Sequence, residues 1–252
     1  MPDFTAASAA PWLFSALVFT AAGVVKGVVG LGLPTLAMAL LALAMAPAQA
    51  AALLVLPSLV TNVWQMRPWR TLAPLARRLA GMQLGVAAGT LGGAWLLGAP
   101  AGAWASVALG AALVLYGGWG LSGARLPQVP APAQRWLGPL AGAATGVVTA
   151  GTGVFVIPAV PYLQALGMQR DALVQAMGLS FTVSTVALAA GLALNGQFPA
   201  AVLGGSALLL LPALAGMAVG QWLRGRLSAT RFRQCFMVAL VLLGAWMVAR
   251  AW

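Results

Sequence analysis

The chain has no histidine, two acidic residues, one cysteine and one lysine in 252 residues. With no histidine, and Asp3 and Asp171 its only side-chain carboxylates, it lacks the residues of most metal sites and general acid–base pairs. Cys235 stands alone, which excludes an internal disulfide and a cysteine metal cluster. No cofactor is implied. A lipid-modifying enzyme is disfavoured as well, because no histidine or buried acid is present to activate a hydroxyl. Charge is scarce: 6% of residues are charged and 62% apolar, where a soluble domain carries about a quarter charged. The composition is that of an integral membrane protein whose first partner is the lipid bilayer. Long apolar runs between short polar breaks describe helices rather than the alternating strands of a barrel. The net charge of +11 comes from arginines in the breaks. That placement reflects membrane topology, not nucleic-acid binding. The start, MPDFTAASAA, has no basic n-region, so the first apolar run is expected to be a retained helix.

Ten apolar segments are predicted, at about 12–30, 34–46, 50–66, 79–98, 103–121, 137–150, 154–166, 172–194, 200–223 and 232–250. The second, sixth and seventh fall short of the roughly 20 residues a crossing needs. Each short pair is joined by glycine-rich sequence, which suggests broken helices or re-entrant hairpins. "GVVGLGLP" from Gly27 returns as "GVVTAGTG" from Gly146, and "GTLGGAWL" from Gly89 returns as "GMAVGQWL" from Gly216. At the second offset, 127 residues, Gly117 and Trp119 also align with Gly244 and Trp246. The chain therefore divides into an N-terminal repeat (1–122), a linker (123–136) and a C-terminal repeat (137–252).

Charge orients the halves. The loop after the third segment carries Arg67, Arg70, Arg77 and Arg78, while its counterpart "NGQFPA" carries none. "LGAPAGAW" is uncharged, while its counterpart carries Arg224, Arg226 and Arg231. Equivalent loops on opposite sides make an inverted repeat, as in many secondary transporters. Alternate threading puts eleven of the thirteen basic residues on one face, predicted to be cytoplasmic, with both termini outside. Arg170 and Asp171 read as a pair in a cytoplasmic loop.

The candidate site lies at the glycine breaks. Gly30 and Gly32 are suited to break the first helix, and Pro34 to open the next near Thr35. A helix N-terminus attracts anions. Thr149, Gly151, Thr152 and Gly153 are expected to repeat this device in the second half, the two breaks meeting near the midplane. Lys26 lies one turn before the first break. A lysine deep in a membrane costs about 2.5–3.5 kcal/mol, and a bound anion would offset that. The alternative is snorkelling toward the interface. Ser58, Asn62 and Gln65 share one helix face, with Thr61 and Trp64 beside them. Ser180 and Ser184 take the places of Ser58 and Asn62 in the second half. These residues are candidate substrate contacts or ordinary interhelical hydrogen bonds.

"KGVVGLGLP", "TGVVTAGTG" and the following "PSLVTN" and "GLSFTVS" resemble the sulfite exporter TauE/SafE family over essentially the whole chain. The resemblance implies an all-α membrane protein with two four-helix halves. Eight transmembrane helices are counted, the first and fifth broken or hairpin-like. It also implies a bacterial plasma-membrane location and export of sulfite or organosulfonates such as sulfoacetate. Residues and resemblance agree on a small anion, moved down its gradient by rocking of the halves. A permease for another anion or for a metal or other cation, and a non-transporting scaffold, remain the alternatives.

Overall fold

The computed structural model describes residues 9–124, 126–198 and 200–250. Asp3, Arg125 and both chain ends, expected outside, lie beyond the described residues. The elements are α1 (Ala9–Val29), α2 (Leu33–Leu41), α3 (Pro47–Gln65), a 3₁₀ turn (Trp69–Thr71), α4 (Leu72–Leu97), α5 (Gly102–Ser122), α6 (Ala131–Thr152), α7 (Ala159–Ala165), α8 (Arg170–Leu194), α9 (Ala200–Arg224) and α10 (Ala229–Ala249). No strand occurs among the described residues. In hydrocarbon every backbone polar group must be satisfied within the chain, and a helix does this within one segment.

Six helices are long and apolar enough to cross a membrane: α1, α3, α5, α8, α9 and α10. At 26 and 22 residues, α4 and α6 have the length too, but begin with arginines and are rich in small residues. The sixth segment, expected to be short, is therefore a full helix. It extends because Pro139 and the flanking glycines are accommodated within α6. Likewise α1 is continuous over 21 residues, and the break follows it.

The helices pair across the chain. α1 packs on α9, α4 on α6, α5 on α10 and α3 on α8. Glycines four residues apart bring the first two pairs into backbone contact. A Cβ added at Gly142 of α6 would lie 2.1 Å from the Met82 carbonyl oxygen, and one at Gly216 of α9 would lie 2.1 Å from that of Thr20. Such spacing lets membrane helices approach closely where no hydrophobic force drives them together.

α3 contains Pro57, which removes the N–H that would reach the Leu53 carbonyl. Ser206 of α9 repairs the gap. Its Oγ donates to Leu53 O at 2.7 Å and accepts from Leu56 N at 3.1 Å. Ser206→Ala is expected to cost about 1–3 kcal/mol, the penalty for an orphaned buried group. In a Pro57→Ala background, which restores the N–H, the same change should cost measurably less in thermal denaturation.

Candidate functional site

Lys26 lies in the last turn of α1 and is 4% exposed. It does not snorkel. Its Nζ donates to Thr61 Oγ1 at 3.0 Å and to Asn62 Oδ1, both on α3. Asn62 Nδ2 donates onward to Thr185 Oγ1 of α8 at 3.4 Å. Thr61 and Thr185 use their own protons on Pro57 O and Phe181 O, each at 2.7 Å, which leaves their lone pairs to accept. Neutral acceptors alone thus hold the ammonium. The one acid among the described residues, Asp171, is exposed on the first turn of α8. It forms no ion pair with Arg170, contrary to the pairing expected.

One turn further along α3, Gln65 Nε2 donates to Gly30 O at 2.9 Å and to Val174 O of α8 at 3.1 Å. Its Oε1 is buried without a partner. Gln65 thereby ties the first break to α3 and α8. Gly30 and Gly32 have φ of 84° and 106°, a conformation open to glycine. Gly32 caps α2, whose first turn contains Pro34 as predicted.

Three hydroxyls singled out from the sequence are buried without a hydrogen-bond partner: Thr35 on α2, Ser58 on α3 and Ser184 on α8. Ser58 is one turn from Asn62, and Ser184 adjoins Thr185. A buried, unpartnered hydroxyl is destabilising by about 1–3 kcal/mol, so these groups have capacity for a polar ligand. Ser180 is different, because its Oγ accepts from Gln83 Nε2 of α4 at 2.8 Å.

The second break departs from expectation. Thr149, Gly151 and Thr152 belong to the last turn of α6, and only Gly153 leaves it, with φ of 68°. Thr149 and Thr152 donate to the carbonyls of Thr145 and Val148, at 2.8 and 2.6 Å. These hydroxyls satisfy their own helix and offer no helix N-terminus. α7 starts only at Ala159, after an irregular stretch and a turn, and Gly153 lies against the Met38 side chain of α2. Trp64 also stands apart, 53% exposed, with the Arg67 guanidinium 3.9 Å from its ring centroid.

Gln83 and Gln175 extend the polar system. Gln175 Nε2 donates to Met66 O and Pro68 O, both at 2.7 Å, fastening the loop that carries Arg67 and Arg70. Their one sequence signal is a polar side chain inside an apolar run.

Six crossing-length helices around an apolar core that encloses a polar cluster make this a multi-pass membrane protein. Residues 15–247 match the family model described as Sulfite exporter TauE/SafE, and the chain belongs to that family of membrane transporters. No curated protein and no solved structure matches it.

Proposed function

We propose that the protein exports sulfite or a small organosulfonate such as sulfoacetate, held between Lys26 and the hydroxyls of Thr35, Ser58 and Ser184. The observation that carries this reading is a lysine buried among helices with no carboxylate partner. A buried charge without a counter-charge is costly, and an anionic substrate supplies the missing one. A sulfonate group has three oxygens, which suits an ammonium and several hydroxyl donors. The site has the wrong sign for a cation. Asn62, which joins Lys26 to α8, holds the ammonium toward the substrate. Asn62→Leu is expected to lower sulfite transport about tenfold or more, since a hydrogen bond to a charged group contributes ~1.5–3 kcal/mol. Initial rates in proteoliposomes would check it.

Three further elements complete the proposal. Residues 1–122 and 137–252 form the inverted repeat, with α4 and α6 crossing the membrane alongside the six most apolar helices. Each of the pairs α1–α9 and α4–α6, locked by glycine contacts, joins a helix from either half, so these pairs, rather than the two halves as expected from the sequence, rock as units about α3 and α8. The arginine-rich end faces the cytoplasm of a bacterial cell.

Proteoliposomes test the function. Sulfite or sulfoacetate flux without flux of sodium or divalent metals is expected; cation flux without anion flux would refute it. Orientation is tested separately with single cysteines in a Cys235→Ser background. Thr230→Cys should react with an impermeant thiol reagent from the cytoplasmic side, and Ala103→Cys from the outside. The reverse pattern would invert the topology.

A further inference from the structure

Two cavities open at opposite ends of the bundle. One, of about 450 Å³, is lined by Val28, Leu31, Trp119, Arg170, Val174 and Arg233 among others. The other, of about 310 Å³, includes Ala103, Ser106, Trp246, Met247 and Arg250 in its lining. The 127-residue offset that pairs Trp119 with Trp246 also pairs Gly120 with Met247, Thr230 with Ala103 and Arg233 with Ser106. The first member of each pair lines the larger cavity and the second the smaller. The two mouths therefore correspond, and they differ in charge. The larger presents two arginines, from α8 and α10. At the smaller, serine replaces Arg233, and Arg250 lies over Trp246, 5.1 Å from the ring centroid.

We infer that the larger mouth is a capture site for the transported oxyanion, with Arg170 and Arg233 as its ligands. It is occupied before Lys26 and loaded from the arginine-rich end only. This rests on the anion reading above and adds a second site and a direction. Both guanidiniums are exposed and free of carboxylates. Arg233 makes one long bond, to Gly120 O at 3.5 Å, and Asp171 does not line the cavity. A guanidinium presents a planar fork that matches an oxyanion in bidentate fashion. The volume suits a small organic anion with some of its water. The floor leads inward. Val28 and Leu31 flank the first break, and Val174 is the residue whose carbonyl Gln65 holds together with that of Gly30. Gln65 thus stands between the capture site and Lys26. Basic walls also raise the local concentration of anions, an effect that weakens with salt.

The test measures sulfite uptake in sided proteoliposomes, with sulfite presented at one face at a time. For Arg170→Gln/Arg233→Gln, KM at the arginine-rich face should rise about tenfold or more and lose much of its salt dependence. KM at the other face should stay within twofold. Arg233→Lys should recover part of the loss. Unchanged KM at the arginine-rich face, in a protein that transports sulfite, would overturn the capture site while leaving the Lys26 reading intact. An equal rise at both faces would overturn the sidedness. No sulfite transport by the wild type would instead overturn the underlying anion reading, and the capture site with it.

Discussion

Lys26→Met is expected to reduce sulfite flux to below about one hundredth of wild type while leaving a folded, monodisperse protein. Methionine fills much the same volume, so the packing of α1 survives. What disappears is the only cation at the centre of the polar cluster. Charge-assisted hydrogen bonds contribute ~1.5–3 kcal/mol each, and an anion bound by Lys26 loses at least one along with its counter-charge. Two such losses correspond to about two to four orders of magnitude in affinity. Stability should change little. The mutation leaves Thr61 Oγ1 and Asn62 Oδ1 without the ammonium they now accept from. It also removes a lysine whose insertion is unfavourable by about 2.5–3.5 kcal/mol. The outcomes separate cleanly: lost flux with retained melting behaviour places Lys26 in the transport path. Retained flux would make it a packing residue, and lost folding would make it structural. Size-exclusion chromatography, melting and initial rates read all three.

The second large effect concerns architecture. Gly142→Leu should prevent recovery of folded protein, whereas Gly92→Leu should express and melt like wild type. In α6, a Cβ at Gly142 meets the Met82 carbonyl oxygen at 2.1 Å and the Val86 nitrogen at 2.9 Å. Backbone cannot yield as a flexible side chain does, so α4 and α6 must separate. Their association depends on that close contact, because lipid competes equally for apolar side chains. Gly92 lies on α4 as well, yet a Cβ there meets nothing within 4 Å. The comparison isolates helix approach from helix propensity, since both changes replace a helical glycine. Gly216→Leu should repeat the Gly142 result at the α1–α9 crossing, where the Thr20 carbonyl oxygen is 2.1 Å away. Equal tolerance of all three substitutions would remove the glycine crossings from the account.

These two predictions differ in how far they were visible in sequence. Lys26 was conspicuous as the one lysine of the chain, set in an apolar run beside glycines. Asn62 and Gln65 followed from helical spacing, and both meet the end of α1. The first break was legible because glycine and proline constrain the backbone in known ways. The second was not. "TAGTG" has the same composition, but Thr149 and Thr152 bond back to their own helix, and α6 continues to Gly153. Composition does not distinguish a threonine that waits for a ligand from one that satisfies a carbonyl four residues earlier. Adjacency to Asn62 in the sequence makes Trp64 a candidate. Two residues apart on a helix do not share a face, and Trp64 turns outward to Arg67. Gln83 was hidden for another reason: its partner Ser180 is 97 residues away, and no local pattern announces the pair. The charge asymmetry of the two mouths needed both kinds of information. The repeat offset comes from sequence, and the cavities it relates come from the fold.

The most direct measurement is sulfite-dependent thermal stabilisation of the purified protein, wild type against Lys26→Met, with sulfoacetate, acetate and sodium at matched ionic strength as comparisons. A saturable rise in melting temperature with sulfite or sulfoacetate is expected in the wild type. Most of the rise should be lost in the variant, any remainder depending on Arg170 and Arg233. An equal rise in both proteins would place the anion away from Lys26 and overturn its role as the substrate's counter-charge.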